Sequence, residues 1–180
     1  MNSRNIDRPR VGAFTLVEIL VVVVILGIAS AIIIPQIGSR DDLTAAAGAR
    51  VVMGDLIYAQ NRAIALQKRH FVQFVGQQYT VMTRDSDLSP LYAVTHPITK
   101  NSYAQSFGVA GTALSSVSLD AVSFGGTTIL GFDELGSPFA FNAGANTMTP
   151  LVAAGTVTVR AGDQALTISI EPYTGEATVN

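Results

Sequence analysis

Phe14-Thr15-Leu16-Val17-Glu18-Ile19-Leu20-Val21-Val22-Val23-Val24-Ile25-Leu26-Gly27-Ile28-Ala29-Ser30-Ala31-Ile32-Ile33-Ile34 sets the architecture of this chain. These 21 residues carry one charge, Glu18. As a helix they would extend about 30 Å, the thickness of a bilayer's hydrocarbon core. The β-branched run Val21 to Ile25 does not oppose a helix, because lipid forces every backbone polar group to bond within its own segment. An ionised carboxylate in such a helix is costly, so Glu18 is a functional candidate.

Upstream, Met1 to Ala13 is polar, with Arg4, Arg8 and Arg10 against Asp7. Cationic flanks stay cytoplasmic, so the helix is expected to point its C-terminal end outward. A secretory signal peptide is the first rival, since Ala29-Ser30-Ala31 has the small-residue form of a cleavage site. Against it, the apolar run is too long, and three isoleucines and Pro35 follow the triplet. The 180-residue chain is 48% hydrophobic and 13% charged, which suits one globular domain joined to a membrane segment. It has no cysteine, hence no disulfide framework and no thiolate metal site. The net charge is −2; beyond residue 13 the remainder holds 8 basic and 12 acidic side chains, or −4. An acidic balance of this kind disfavours nucleic acid as a partner.

The junction Gly12-Ala13-Phe14-Thr15-Leu16-Val17-Glu18 resembles the cleavage and methylation site of type IV prepilins and type II secretion pseudopilins. The likeness extends over Gly12 to Gln36. It implies a cut between Ala13 and Phe14 by prepilin peptidase, N-methylation of Phe14, and Glu18 as the fifth mature residue. In that setting Glu18 would pair with the amino terminus of a neighbouring subunit and fix the register of assembling helices. The alternative is a hydrated or protonated Glu18 at the membrane interface with no special role. One departure is Ala13, where the family carries Gly, with Gly12 one step earlier.

Pro35, without an N–H to donate, is expected to kink the helix, and Gly38 to loosen it further. Ser39, Asp41 and Asp42 favour the start of a second helical stretch. There Ala45, Ala49, Val52, Leu56, Ala59, Ala63 and Leu66 recur at alternating spacings of four and three, one apolar stripe to lie against a sheet. Arg40, Asp55, Arg62 and Lys68 fall off the stripe. Lys68, Arg69 and His70 are expected to end the helix and complement its dipole.

After His70 the period changes to two. His70–Val75 and Tyr79–Thr83 form a hairpin about Gly76-Gln77-Gln78, and Leu91–Thr95 is a third strand. Residues 97–116 read as a long irregular excursion. Strands follow over Val117–Phe124, Thr127–Phe132 and Pro138–Phe141, then a Gly/Asn-rich connector over Asn142–Pro150. Thr156–Arg160 and Ala165–Ile170 flank a turn, and Glu176–Val179 closes the chain. One long helix followed by strands is an α+β layout, and it resembles the pilin-like fold, a helix packed on an antiparallel sheet. Phe132-Asp133-Glu134-Leu135-Gly136-Ser137-Pro138 and Thr174-Gly175-Glu176-Ala177-Thr178-Val179 are most similar to the pseudopilin H and fimbrial-assembly T group. The expected division is a leader over 1–13, an assembly and transmembrane half-helix over 14–38, and a periplasmic head over 39–180. Within the head, an amphipathic helix covers 39–69 and the β-rich part 70–180.

The head offers little chemistry. His70 opens a strand and His96 precedes a proline, both structural positions. No zinc-protease, nucleophile-elbow or phosphate-loop motif occurs. Asp85-Ser86-Asp87 and Asp133-Glu134 lack the oxygen-ligand pattern of a calcium loop and read as solvated turns. The tail from Ile168 to Asn180 carries Glu171 and Glu176 and no Lys or Arg, unlike the DNA-capturing minor pilins of the fimbrial-assembly T type. The resemblance therefore implies a structural subunit, minor rather than major, with no catalytic residue, cofactor or metal. Its partners would be other pilin or pseudopilin subunits, prepilin peptidase, the inner membrane and, through the head, secreted cargo. A DNA-binding pilin and a membrane-anchored periplasmic hydrolase are the alternatives.

Overall fold

The computed structural model describes residues 14–36 and 40–180, with side chains omitted for 31–36. They form two separate bodies. The first is α1, Leu16–Gln36. The second, residues 40–180, is the head.

The head opens with α2, Asp41–Leu66. Asp41 and Asp42 sit in its first turn, where carboxylates suit the dipole, while Arg40 at the N-cap makes no side-chain cap. Ser39, expected to take part in capping, lies outside the described residues. The helix buries Ala45, Gly48, Ala49, Val52, Leu56, Ala59 and Ala63, the expected stripe with Gly48 added. Leu66 departs from it and is exposed. Gly48 is required by proximity: a Cβ there would lie 2.7 Å from Val117 Cγ1 and 3.0 Å from Val159 Cγ1. The small residues of the stripe bring the helix axis close to the strands beneath it.

Gln67 closes α2 in the left-handed region at φ 48, and Lys68 N–H donates to Ala63 O at 3.1 Å. The expected role of Lys68, Arg69 and His70 at the helix dipole is corrected here. The last turn holds no basic residue, His70 begins a strand, and the two cations turn to carboxylates of a following loop.

Two antiparallel sheets follow rather than one. The seven-stranded sheet contains β1 His70–Val75, β2 Gln78–Thr83, β3 Tyr92–Ala93, β4 Ala104–Ser106, β6 Ile129–Phe132, β7 Pro138–Asn142 and β8 Thr147–Pro150. Its order is β3-β2-β1-β6-β7-β8, with β4 also paired to β2. The four-stranded sheet runs β11-β10-β9-β5, from β5 Val117–Ser123, β9 Gly155–Ala161, β10 Gln164–Ile170 and β11 Ala177–Val179. The strand expected over Leu91–Thr95 shrinks to two residues. The excursion 97–116 contains β4 and buries Tyr103 and Phe107, and the connector 142–150 ends in β8. β5 carries a bulge between Leu119 and Ala121, which shifts the inward-facing residue from one parity to the other.

One core cluster joins the buried stripe of α2 to both sheets, through Val72, Tyr79 and Leu130 on one and Val157, Val159 and Ile168 on the other. Gln77, at the tip of the β1–β2 hairpin, links the sheets. Its side chain donates to Leu119 O at 2.9 Å and accepts from Leu119 N–H at 2.6 Å, pairing β5 as a neighbouring strand would. A smaller cluster of Phe71, Ile129, Phe139 and Phe141 covers the other face of the larger sheet. Gly131 makes it possible, since a Cβ there would lie 2.3 Å from the Phe139 ring.

Candidate assembly site

The sequence placed the working residues at the start of α1. Phe14 stands just before the helix and is 75% exposed. Thr15 caps it: its Oγ1 accepts the Glu18 N–H at 3.2 Å, and its carbonyl accepts the same N–H at 3.1 Å. Thr15-Leu16-Val17-Glu18 thus has the spacing of a capping box, with Glu18 in the first turn, where a carboxylate meets the positive end of the dipole. Ser30 satisfies its own hydroxyl by donating to Leu26 O at 2.7 Å. Thr15 and Ser30 are therefore provided for within the helix. Among the described residues no cation lies within salt-bridge distance of Glu18. Every large apolar side chain from Leu16 to Ile28 is exposed. A helix apolar on all sides belongs in lipid or inside a protein bundle. Pro35 falls in the last turn of α1, and the residues after it, 37–39, lie outside the described residues. Ala13 and the leader lie outside them too. Among the described residues no helix is both long and apolar enough to cross a membrane. The span expected over 14–38 includes residues whose side chains are not described.

In the head, each candidate for chemistry is already engaged. His70 is buried, with Nδ1 2.7 Å from Lys68 O, and burial pushes its imidazole below the usual histidine range. His96 Nδ1 accepts from Ile98 and Thr99 N–H, and its ring packs 4.5 Å from that of Tyr103. Asp85-Ser86-Asp87 is an exposed turn, as expected, and its carboxylates also take ion-pair partners. Asp85 accepts from Lys68 Nζ at 2.7 Å and Tyr92 OH at 2.8 Å, bonds that hold its carboxyl below the usual range. Asp87 pairs with Arg69 and with Arg84, the latter at 3.0 Å, and is held low in the same way. Asp133 organises its turn by accepting from Leu135 and Ser137 N–H, and Glu134 lies 3.4 Å from Arg69. Among the described residues no three His, Asp or Glu side chains gather as a metal group.

Three engaged polar groups gave no sequence signal. Asp55, off the stripe, accepts from the hydroxyls of Tyr79 and Tyr103, the latter at 2.7 Å. Burial first, then Asp55, pushes both phenols above the usual tyrosine range. Arg84 is buried between the Phe71 and Phe141 rings, 5.3 and 5.2 Å from their centres. Gln60 Nε2 donates to Gly136 O at 2.9 Å and Thr174 O at 2.7 Å. That clamp joins the two stretches, 132–138 and 174–179, on which the finer resemblance rested.

The family model of the prokaryotic N-terminal methylation motif matches residues 8–34. Among solved structures, the chain resembles the minor pseudopilin EpsH from the type 2 secretion system of Vibrio cholerae. The TM-score is 0.52 at 11% identity, over 76% of this chain and 95% of that one. The fold is pilin-like. No curated protein sequence matches the chain. The motif at one end and the fold at the other agree with a type IV pilin-like protein of α+β architecture.

Proposed function

We propose that the protein is a minor structural subunit of a type II secretion pseudopilus or a type IV pilus. The precursor is anchored in the bacterial inner membrane by its N-terminal helix, with the head in the periplasm. Prepilin peptidase cuts between Ala13 and Phe14, the new terminus is methylated, and α1 passes from lipid into a bundle of neighbouring helices. Glu18, the one charge of that helix, sets the register by pairing with the amino terminus of an adjacent subunit. The role is assembly and not catalysis.

One observation carries this reading. An apolar helix with every described large side chain exposed stands directly behind a methylation motif, on a chain whose head is pilin-like. Such a helix needs cover, and lipid followed by sister helices supplies it. Four of the head's eight cations, Lys68, Arg69, Arg84 and Arg160, are held by Asp partners, which weighs against phosphate binding at those positions. Neutralising phosphates would require breaking those pairs. The test is N-terminal sequencing with mass analysis of the protein recovered from a membrane carrying prepilin peptidase. N-methyl-Phe14 at the mature terminus is the expected result. A terminus just after Ala31 would overturn the reading.

A further inference from the structure

Four cations of the head, Arg40, Arg50, Arg62 and Lys100, have no ion pair among the described residues. Arg40, Arg50 and Lys100 are exposed, so water solvates them. Arg62 is partly buried, and its Nε is buried with no hydrogen-bond partner. Its guanidinium lies 5.8 Å from the centre of the Tyr58 ring, and Nη1 donates to Tyr58 OH at 3.1 Å. Nη2 makes no bond among the described residues. Nε and Nη2 share one edge of the guanidinium, the edge that grips a carboxylate side-on. Arg160 uses that same edge, with Nε and Nη2 donating to Asp120 Oδ2 at 3.2 and 2.8 Å. Arg62 offers the same donors with no acceptor. A buried donor of a charged group without a partner is costly, and nothing within the fold offsets that cost.

Arg62 lines a cleft of about 210 Å³ between the end of α2 and strands β1, β2 and β3. Leu66 and Val94 add apolar lining, and Lys68, His70 and Tyr92 add polar groups. Lys68 is already neutralised by Asp85 at 2.7 Å. His70 Nδ1 is 2.7 Å from Lys68 O, an oxygen that can only accept, so the neutral ring carries its proton on Nδ1. Nε2 is then the ring nitrogen left for a ligand. His70 pairs with Thr83 of β2 and Phe132 of β6, both uncharged. Its charged neighbours are Arg62 and Lys68, while Arg69, next in the chain, is held by Asp87 and Glu134. The cleft therefore has one uncompensated positive charge, an apolar lining and room for more than one water. A monoanion with an apolar group matches that balance, and a phosphate dianion does not.

We propose that this cleft binds a carboxylate bearing a short aliphatic group, with the Nε–Nη2 edge of Arg62 on its oxygens and His70 Nε2 beside them. The site is independent of the proposed role in a filament, and neither reading depends on the other.

The test is a histidine-labelled full chain in detergent, observed by NMR, since the chain has two histidines and His96→Gln assigns the His70 ring signal. Butyrate is the probe. It should move the His70 signal saturably with a midpoint of about 1–10 mM, while the neutral isostere butyramide leaves it in place. A bound carboxylate favours the imidazolium, so saturating butyrate should also raise the pH midpoint of His70 by about one unit. Arg62→Gln should weaken butyrate about tenfold, Arg62→Lys about three-fold, and the exposed Arg50→Gln not at all. Should Arg62→Gln fail to fold, Thr95→Glu places a carboxylate at the cleft and should block butyrate while raising the His70 midpoint by itself. Acetyl-glycyl-leucine with a free carboxyl end separates the sources: binding about five-fold tighter than butyrate identifies a polypeptide terminus, and equal binding a free small acid. No saturable shift up to about 100 mM butyrate, an equal response to butyramide, or indifference to Arg62→Gln overturns the site. Inorganic phosphate displacing butyrate at equal or lower concentration overturns the assignment to a carboxylate.

Discussion

Replacing Asp55 by Ala tests how α2 is held to the sheet. In the native head the carboxylate accepts from two tyrosyl hydroxyls, Tyr79 and Tyr103, both on residues that are at least nine-tenths buried. Removing the acceptor leaves two hydroxyls without a partner, and a buried unsatisfied donor costs about 1–3 kcal/mol. Tyr79 is the deeper and bears the fuller cost, so the combined loss should be about 2–4 kcal/mol. For a domain of this size that lowers the thermal midpoint by roughly 6–15 °C. Near-ultraviolet circular dichroism of the full chain in detergent can follow the transition, since the five tyrosines are reporters and tryptophan is absent. Adding Tyr79→Phe to Asp55→Ala removes one orphaned hydroxyl and should recover about 1 kcal/mol of the loss. The alkaline limb gives an independent check. The Tyr79 phenol is held above its usual range, so its stabilisation is complete below about pH 10 and is lost as the unfolded chain ionises above it. Stability should therefore fall by about 1.4 kcal/mol per pH unit from this residue, and Tyr79→Phe should remove that slope. A loss below about 0.5 kcal/mol for Asp55→Ala would mean that water already satisfies both hydroxyls, and the clamp would be refuted.

Other expectations concern single positions. His70, buried near Arg62 and Lys68, has its imidazole held below the usual range. Stability should fall as pH drops through about 6.5, where the unfolded histidine takes up a proton that the folded one refuses. His70→Gln should flatten that acid limb in a pH series of melting curves. Gln77→Ala removes both bonds to Leu119 and should cost about 1–3 kcal/mol in denaturant unfolding, with more aggregation because the edge of β5 is uncovered. The two head-helix glycines should respond to Ala with opposite signs. Gly48→Ala presses on Val117 and Val159 and should lose about 1–2 kcal/mol, while Gly54→Ala meets nothing within 4 Å and should gain about 0.5–1 kcal/mol of thermal stability.

Periodicity carried much of the fold. The spacing of Ala45, Ala49, Val52, Leu56, Ala59 and Ala63 marked the buried side of α2 because every one of those side chains is apolar and faces the same way. The β1–β2 and β9–β10 hairpins were legible from their turn residues and alternation. Two sheets were harder to foresee than one, because their separation depends on which strands pair at long range, and alternation along a strand is silent on its neighbours. β4 and β8 were missed for a related reason: both are short and polar, and partners hold them in place. At the sites, the motif around Phe14 and Glu18 was readable because it is contiguous. Asp55, Gln60, Gln77 and Arg84 were not, because each hydrogen-bonds groups 24 or more residues away, apart from Arg84's local bonds to Asp87. A polar residue's place off an apolar stripe says only that it avoids the helix's own core face. It does not distinguish solvent from a buried tyrosine.

Gly48 and Gly54 sharpen this point for the surface as well. Both lie inside α2, both have ordinary helical backbone, and each weakens the helix relative to Ala by about the same amount. The fold accounts for the first, since α2 lies so close to β5 and β9 that a methyl group does not fit. It does not account for the second, which opens onto free space. Gly27 in α1 is in the same position, with nothing within 4 Å of where its Cβ would be. A helix can tolerate an idle glycine, but these two occur where large apolar side chains are also left bare, Ile57 beside Gly54 and Leu26 and Ile28 beside Gly27. Small and large apolar residues exposed together form the surface on which another helix can approach closely and still fill its grooves. The inward side of α2 shows the outcome when such a surface is covered within the chain. Its outward side leaves apolar residues without cover within the head, and the described large apolar side chains of α1 are exposed too, so the physical case for assembly rests on two helices and not on the N-terminal motif alone.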